Sequence, residues 1–159
     1  MTADDVRRCV RRAQPSDAEV VGRLLFDFNT EFETETPDAA TFTERFETLL
    51  AREDVVVLLG GEPGAETGFA FTTLRPTPYH VGDLAQLEEL YVLPDLRDRG
   101  VGTALLTAAV EAVRAAGAEE MHIGVDEVDT DTRRFYARHG FVNIEAGANC
   151  RMLLYTREF

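Results

Sequence analysis

Apolar and polar positions recur with two distinct periods along the 159 residues of this chain. Residues 6–13 (VRRCVRRA) read as a first strand, followed by a helix start at Pro15-Ser16-Asp17. From Ala18 to Asn29 the residues Val20, Val21, Leu24, Leu25 and Phe28 fall at helical spacing. Phe42, Phe46, Leu49 and Leu50 do the same in a second helix, 41–52, after the acidic connection TEFETETPD. Segments 54–59 and 67–74 predict a hairpin, with a turn of about seven residues holding Gly60-Gly61 and Pro63-Gly64. Pro76 and Pro78 precede a long strand at 85–93. A helix over 101–116 buries Val101, Leu105, Leu106, Ala109, Val110 and Val113 on one face. A strand at 119–125, a helix at 130–138 and strands at 141–144 and 151–155 complete the order β-α-α-β-β-β-α-β-α-β-β. That order predicts one domain of α/β (α+β) class spanning 1–159, with no repeat or linker.

The stretch LEELYVLPDLRDRGVGTALL, 87–106, joins the long strand to the third helix through Arg97-x-x-Gly100-x-Gly102. Glycines at a helix mouth let the backbone turn tightly and approach another molecule. The unpaired N–H groups of the helix start, together with Arg97 and Arg99, make a place for phosphate. A Walker loop is excluded, because the chain has no lysine; a dinucleotide fingerprint fails because position 105 is Leu105.

The loop resembles motif A, R/Q-x-x-G-x-G/A, of the GCN5-related N-acetyltransferases. A second family signature follows in Phe135-Tyr136-x-x-x-Gly140-Phe141. The resemblance implies a mixed, mostly antiparallel sheet of six to seven strands with helices on both faces, in which the fourth and fifth strands splay. It implies acetyl-CoA as cosubstrate and no metal. The pyrophosphate would be held by Arg97, Asp98, Arg99, Gly100, Val101, Gly102 and Thr103, and the pantetheine arm by backbone at Leu90, Tyr91 and Val92. A homodimer is a further possibility that the resemblance leaves open.

Acetyl transfer to an amine needs a base, because alkylammonium groups have a pKa of roughly 10. It also needs an N–H donor to the carbonyl oxygen and an acid for the thiolate. Glu88 is the first candidate base: if alternation holds it shares the face of Leu90 and Val92. Leu87-Glu88-Glu89 also resembles the Leu-Glu-Asp segment of spermidine/spermine acetyltransferases. A bulge would break the alternation, so Glu89 is the reserve candidate, and a water relay is a further route. Tyr136 has a phenol matched to a thiol and, by the resemblance, the position of the general acid. Many relatives carry Asn and Ala where this chain has Asp129 and Thr132; Asp129 retains the ability to cap the helix.

A net charge of −13 and a pI near 4.6 argue against nucleic acid as a partner. Acidic Glu31, Glu33, Glu35 and Asp38, with Asn29, Tyr79 and His80, lie in the segments that form the acceptor wall in the resembled family. They suit a small cationic amine. Two other readings stay open: a catalytically weak acyl-CoA sensor or interaction module, and an acetyltransferase of protein N-termini or lysines. Cys9 reads as a small buried residue, and Cys9 and Cys150 suggest no disulfide framework. His80, His122 and His139 are isolated in sequence and give no metal pattern. The charged start from Asp4 is unlike a leader, and no run approaches ~20 apolar residues, so a cytoplasmic protein without a membrane partner is expected.

Overall fold

The computed structural model describes residues 9–159. The start at Asp4 and residues 6–8 of the expected first strand lie outside the described residues. The chain forms two compact units, one running to His122 and the other Ile123–Phe159.

The first unit is built on strands β1 (Val10–Arg12), β2 (Val55–Glu62), β3 (Ala65–Arg75), β4 (Leu84–Val92) and β5 (Glu120–Ile123), in that spatial order. The pairs β1/β2, β2/β3 and β3/β4 are antiparallel. Helices α1 (Ala18–Glu31) and α2 (Ala39–Leu49) cover one face, where Val21, Leu24, Phe42 and Phe46 share a core with Val55, Val57, Leu59, Phe69 and Tyr91. Helix α3 (Val101–Ala115) covers the other face, its Leu105 lying against Gly60. Burial on both faces explains the unbroken apolar run of β2, which shows no alternation. Asp38 starts α2 by accepting the Thr41 N–H at 2.8 Å.

The hairpin turn is shorter than the sequence predicts. β2 continues through Gly60-Gly61 to Glu62, and only Pro63 and Gly64 separate it from β3. Gly61 permits this with φ +92° beside a register shift, where a Cβ would come within 2.5 Å of the Ala65 carbonyl oxygen.

Under the start of β3, Arg11 grips Asp17 at 2.8 and 2.9 Å and Glu66 at 3.3 Å, tying β1 to the entry of α1. The Asp17 carboxyl is held below the usual range by these Arg11 bonds. At the far end, a Cβ on Gly82 would stand 1.8 Å from the Gly117 carbonyl oxygen. Glu119 accepts the Gly82 N–H at 3.0 Å and donates its own N–H to Asp83 at 3.3 Å. The segment from Gly82 to Glu119 therefore closes on itself.

In the second unit, α4 (Thr130–Arg138) is capped by Asp129, whose carboxylate accepts the Thr132 N–H at 3.0 Å. The expected strands at 141–144 and 151–155 do not form, and the described residues give five strands rather than six or seven. One backbone bond, Met152 N–H to Asn143 C=O at 2.7 Å, joins the two segments, where a ladder needs a series. Val142, Leu153, Leu154 and Tyr155, whose apolar character suggested those strands, are exposed.

Candidate active site

The register of β4 against β3 contains one extra residue. Val92, Tyr91, Leu90 and Glu89 stand opposite Gly68, Phe69, Ala70 and Phe71, but the next pair is Leu87 with Thr72. Glu88 is the residue in excess, and the strand bulges there. Cross-strand partners share a face, which places Glu89 beside Phe71, whose ring meets Phe46 at 5.5 Å. Glu88 turns to the same side, accepting the Thr73 hydroxyl at 2.5 Å. The bulge corrects the expectation that Glu88 shares a face with Leu90 and Val92: those two lie opposite Ala70 and Gly68, on the other face.

The two carboxylates differ in environment. Glu88 is exposed and Glu89 is half-buried. Burial, and after it the negative charge of Glu88, pushes the Glu89 carboxyl up to about 7.

Beyond β4, the chain makes a single turn of 3-10 helix, Pro94–Leu96, before α3. Asp98 (φ +58°) and Gly100 (φ +83°) are both left-handed. Gly100 caps α3 without a side chain, so no side-chain cap serves the N–H groups of Val101, Gly102 and Thr103. A Cβ at Gly100 would meet nothing within 4 Å, so backbone conformation, not crowding, calls for glycine there. An open helix start with exposed Arg99 beside it fits a phosphate-bearing cosubstrate. Close packing also holds the neighbouring strand edge: a Cβ on Gly68 would come 2.3 Å from the Tyr91 carbonyl oxygen.

Arg97 has partners of its own within the protein. Its Nη1 and Nη2 donate to the two Glu31 carboxylate oxygens at 2.6 and 2.7 Å, and its Nε donates to the Val92 carbonyl at 3.1 Å. Its guanidinium lies 5.8 Å from the centre of the Tyr91 ring. Glu31 is held below the usual carboxylate range, first by Arg97 and also by a hydrogen bond from the Tyr91 hydroxyl. Residues 31 and 97 are far apart in sequence, and no periodicity or motif announces the pair.

Two readings of single residues change. His80 and His122 are remote in sequence yet bind one carboxylate, Glu120, at 2.8 and 2.6 Å. Among the described residues no group of ligands suited to a metal ion occurs. Cys9 is half-buried in a turn, with its sulfur 3.6 Å from a Glu62 carboxylate oxygen.

In the second unit, Tyr136 is buried on α4, its ring edge-on to Phe135 at 5.2 Å and to Phe141 at 5.5 Å. The Phe-Tyr and Gly-Phe ends of the second signature thus form one aromatic cluster. Gly140 supports it with φ +87°, and the Phe141 N–H returns to the Tyr136 carbonyl at 3.1 Å.

Comparison with known proteins agrees with this architecture. The Acetyltransferase (GNAT) family matches residues 18–141, and the chain belongs to that family. It is an acyltransferase of the N-acetyltransferase type, and the family's cosubstrate is acetyl-CoA. An aminoalkylphosphonate N-acetyltransferase of Salmonella typhimurium is 30% identical over 104 residues, 65% of this chain and 68% of that protein. An aminoglycoside N(6')-acetyltransferase type 1 of Klebsiella aerogenes is 30% identical over 97 residues, 60% of this chain and 64% of that one. A crystal structure from Arthrobacter sp. FB24 carrying an acetyltransferase assignment is 47% identical, with a TM-score of 0.88, covering 94% of this chain and 95% of that one.

Proposed function

We propose that this enzyme transfers acetyl from acetyl-CoA to the primary amine of a small cationic acceptor, with both compact units acting as one domain. The family match supports the single domain, because 18–141 crosses the boundary between the units. Exposed Glu33 and Glu35 after α1, and the aminoglycoside acetyltransferase among the relatives, support a cationic acceptor.

The observation that carries the chemistry is the bulge that sets Glu89 into a half-buried position with its carboxyl near 7. A carboxylate of ordinary pKa is a weak base toward an ammonium ion; one near 7 is better matched at neutral pH. Glu89 therefore takes the proton from the amine, directly or through one water. Glu88, favoured by the sequence pattern, acts beside it as the charge that keeps it basic. The amine nitrogen then bonds to the acetyl carbon, the carbon–sulfur bond breaks, the thiolate takes a proton from the Tyr136 phenol, and the second proton shed by the new amide nitrogen restores the phenol. The first-turn N–H groups of α3 hold the pyrophosphate.

The test is release of CoA from acetyl-CoA against aminoglycosides, polyamines, aminoalkylphosphonates and peptide N-termini. Turnover confined to the polycationic amines is the expected result. A preference for aminoalkylphosphonates or peptides would overturn the acceptor class, and acetyl-CoA binding without turnover on any amine would favour the sensor reading.

A further inference from the structure

The Arg97–Glu31 pair connects two sides of the proposed site that have opposite electrostatic needs. Arg97 stands three residues before the Gly100 cap, in the loop that resembles a pyrophosphate holder, while Glu31 is the last residue of α1, on the acceptor side. The bond between them is bidentate but solvent-accessible, with side-chain exposures of 39% for Arg97 and 27% for Glu31. Solvent reaches both side chains, so the pair is screened and accessible to a competing anion. A diphosphate offers more charge and matches the same guanidinium fork.

We propose that Arg97 and Glu31 form an exchange pair that couples the two substrates. Phosphate oxygens of CoA take the Arg97 guanidinium, and the Glu31 carboxylate, left without its cation, becomes a receptor for the ammonium group of the acceptor. Cosubstrate binding thereby raises affinity for cationic acceptors, and the enzyme discriminates against amines until CoA is present. This inference rests on the acetyl-CoA reading above.

A double-mutant cycle on CoA binding, followed by calorimetry at fixed ionic strength, isolates the exchange from that reading. Glu31→Gln frees Arg97 and is expected to tighten CoA binding about fivefold, while Arg97→Ala weakens it about tenfold. In the Arg97→Ala background, Glu31→Gln should then change CoA affinity by less than about twofold. Equal tightening in both backgrounds would reveal only a general loss of negative charge and would overturn the exchange. No effect of Glu31→Gln in the native background would overturn it as well.

Carbon-13 NMR of the Glu31 carboxyl gives a second readout, independent of variants. Its pKa should rise toward the usual value when CoA is added, as Arg97 leaves it. An unchanged titration with CoA bound means the pair does not open. Absence of CoA binding by the native protein would instead defeat the cosubstrate reading itself, a different outcome.

Discussion

Glu88 and Glu89 are neighbours in sequence that face the same side of a β-strand, a placement that regular pleating forbids. The register slip opposite Phe71 and Thr72 produces it. Burial, and after it the charge of the neighbouring Glu88, holds the proton on Glu89 well above the usual carboxylate range.

The first expectation concerns pH. If Glu89 must be ionised to act, kcat/KM should rise with pH along a limb centred on about 7, the value to which its carboxyl is pushed. Glu88→Gln removes the neighbouring charge and should move that limb to lower pH without abolishing turnover. A limb that stays in place would show that Glu88 has no electrostatic part.

Glu89→Gln should lower turnover by about 100-fold, and its effect on stability should depend on pH. A carboxyl near 7 in the folded protein and 4.5 in its ordinary state makes the native fold bind the proton more tightly. Stability therefore falls as pH rises from about 4.5 to about 7 and stays lower above. The glutamine variant should be more stable than the native protein by about 1–2 kcal/mol at pH 8, discounted for partial solvent access, and equal to it at pH 4. Thermal melts at the two pH values measure this difference.

Tyr136→Phe keeps the ring that packs against Phe135 and Phe141 and removes only the hydroxyl. Turnover should fall about 10- to 100-fold with CoA affinity unchanged. Should the melting temperature fall as steeply as the rate, the hydroxyl serves the fold.

At Gly100, substitution by valine should weaken CoA binding and cost about 1–2 kcal/mol of stability, because a β-branched residue resists φ +83°. Calorimetry on the folded variant separates the two effects. Unchanged CoA affinity would remove the helix start from the binding site.

The sequence was most legible where one periodicity served one face. Helix α4 occupies the predicted residues 130–138, and α1 and α3 lie within a few residues of their expected spans. The hairpin turn was harder to read, because Gly60 and Gly61 suggest punctuation yet act inside a strand, at a bulge. The segments at 141–144 and 151–155 have strand composition, but composition does not supply a ladder. At the candidate site, the glycine loop and Tyr136 announce themselves through local motifs. The face presented by Glu88 depends on a single-residue slip against a partner strand, and the Arg97–Glu31 bond on a contact across 66 positions; neither leaves a local trace.

The meeting of Gly82 with Gly117, fastened by Glu119, brings together the two ends of the stretch that carries β4, the glycine loop and α3. The closed stretch is nonetheless woven into the rest of the unit: β4 pairs with β3 along its length, Tyr91 shares a core with α1 and α2, and Leu105 of α3 lies against Gly60. A change in the glycine loop is therefore felt by the sheet and by α1 together, and the loop cannot vary independently of the core that carries it.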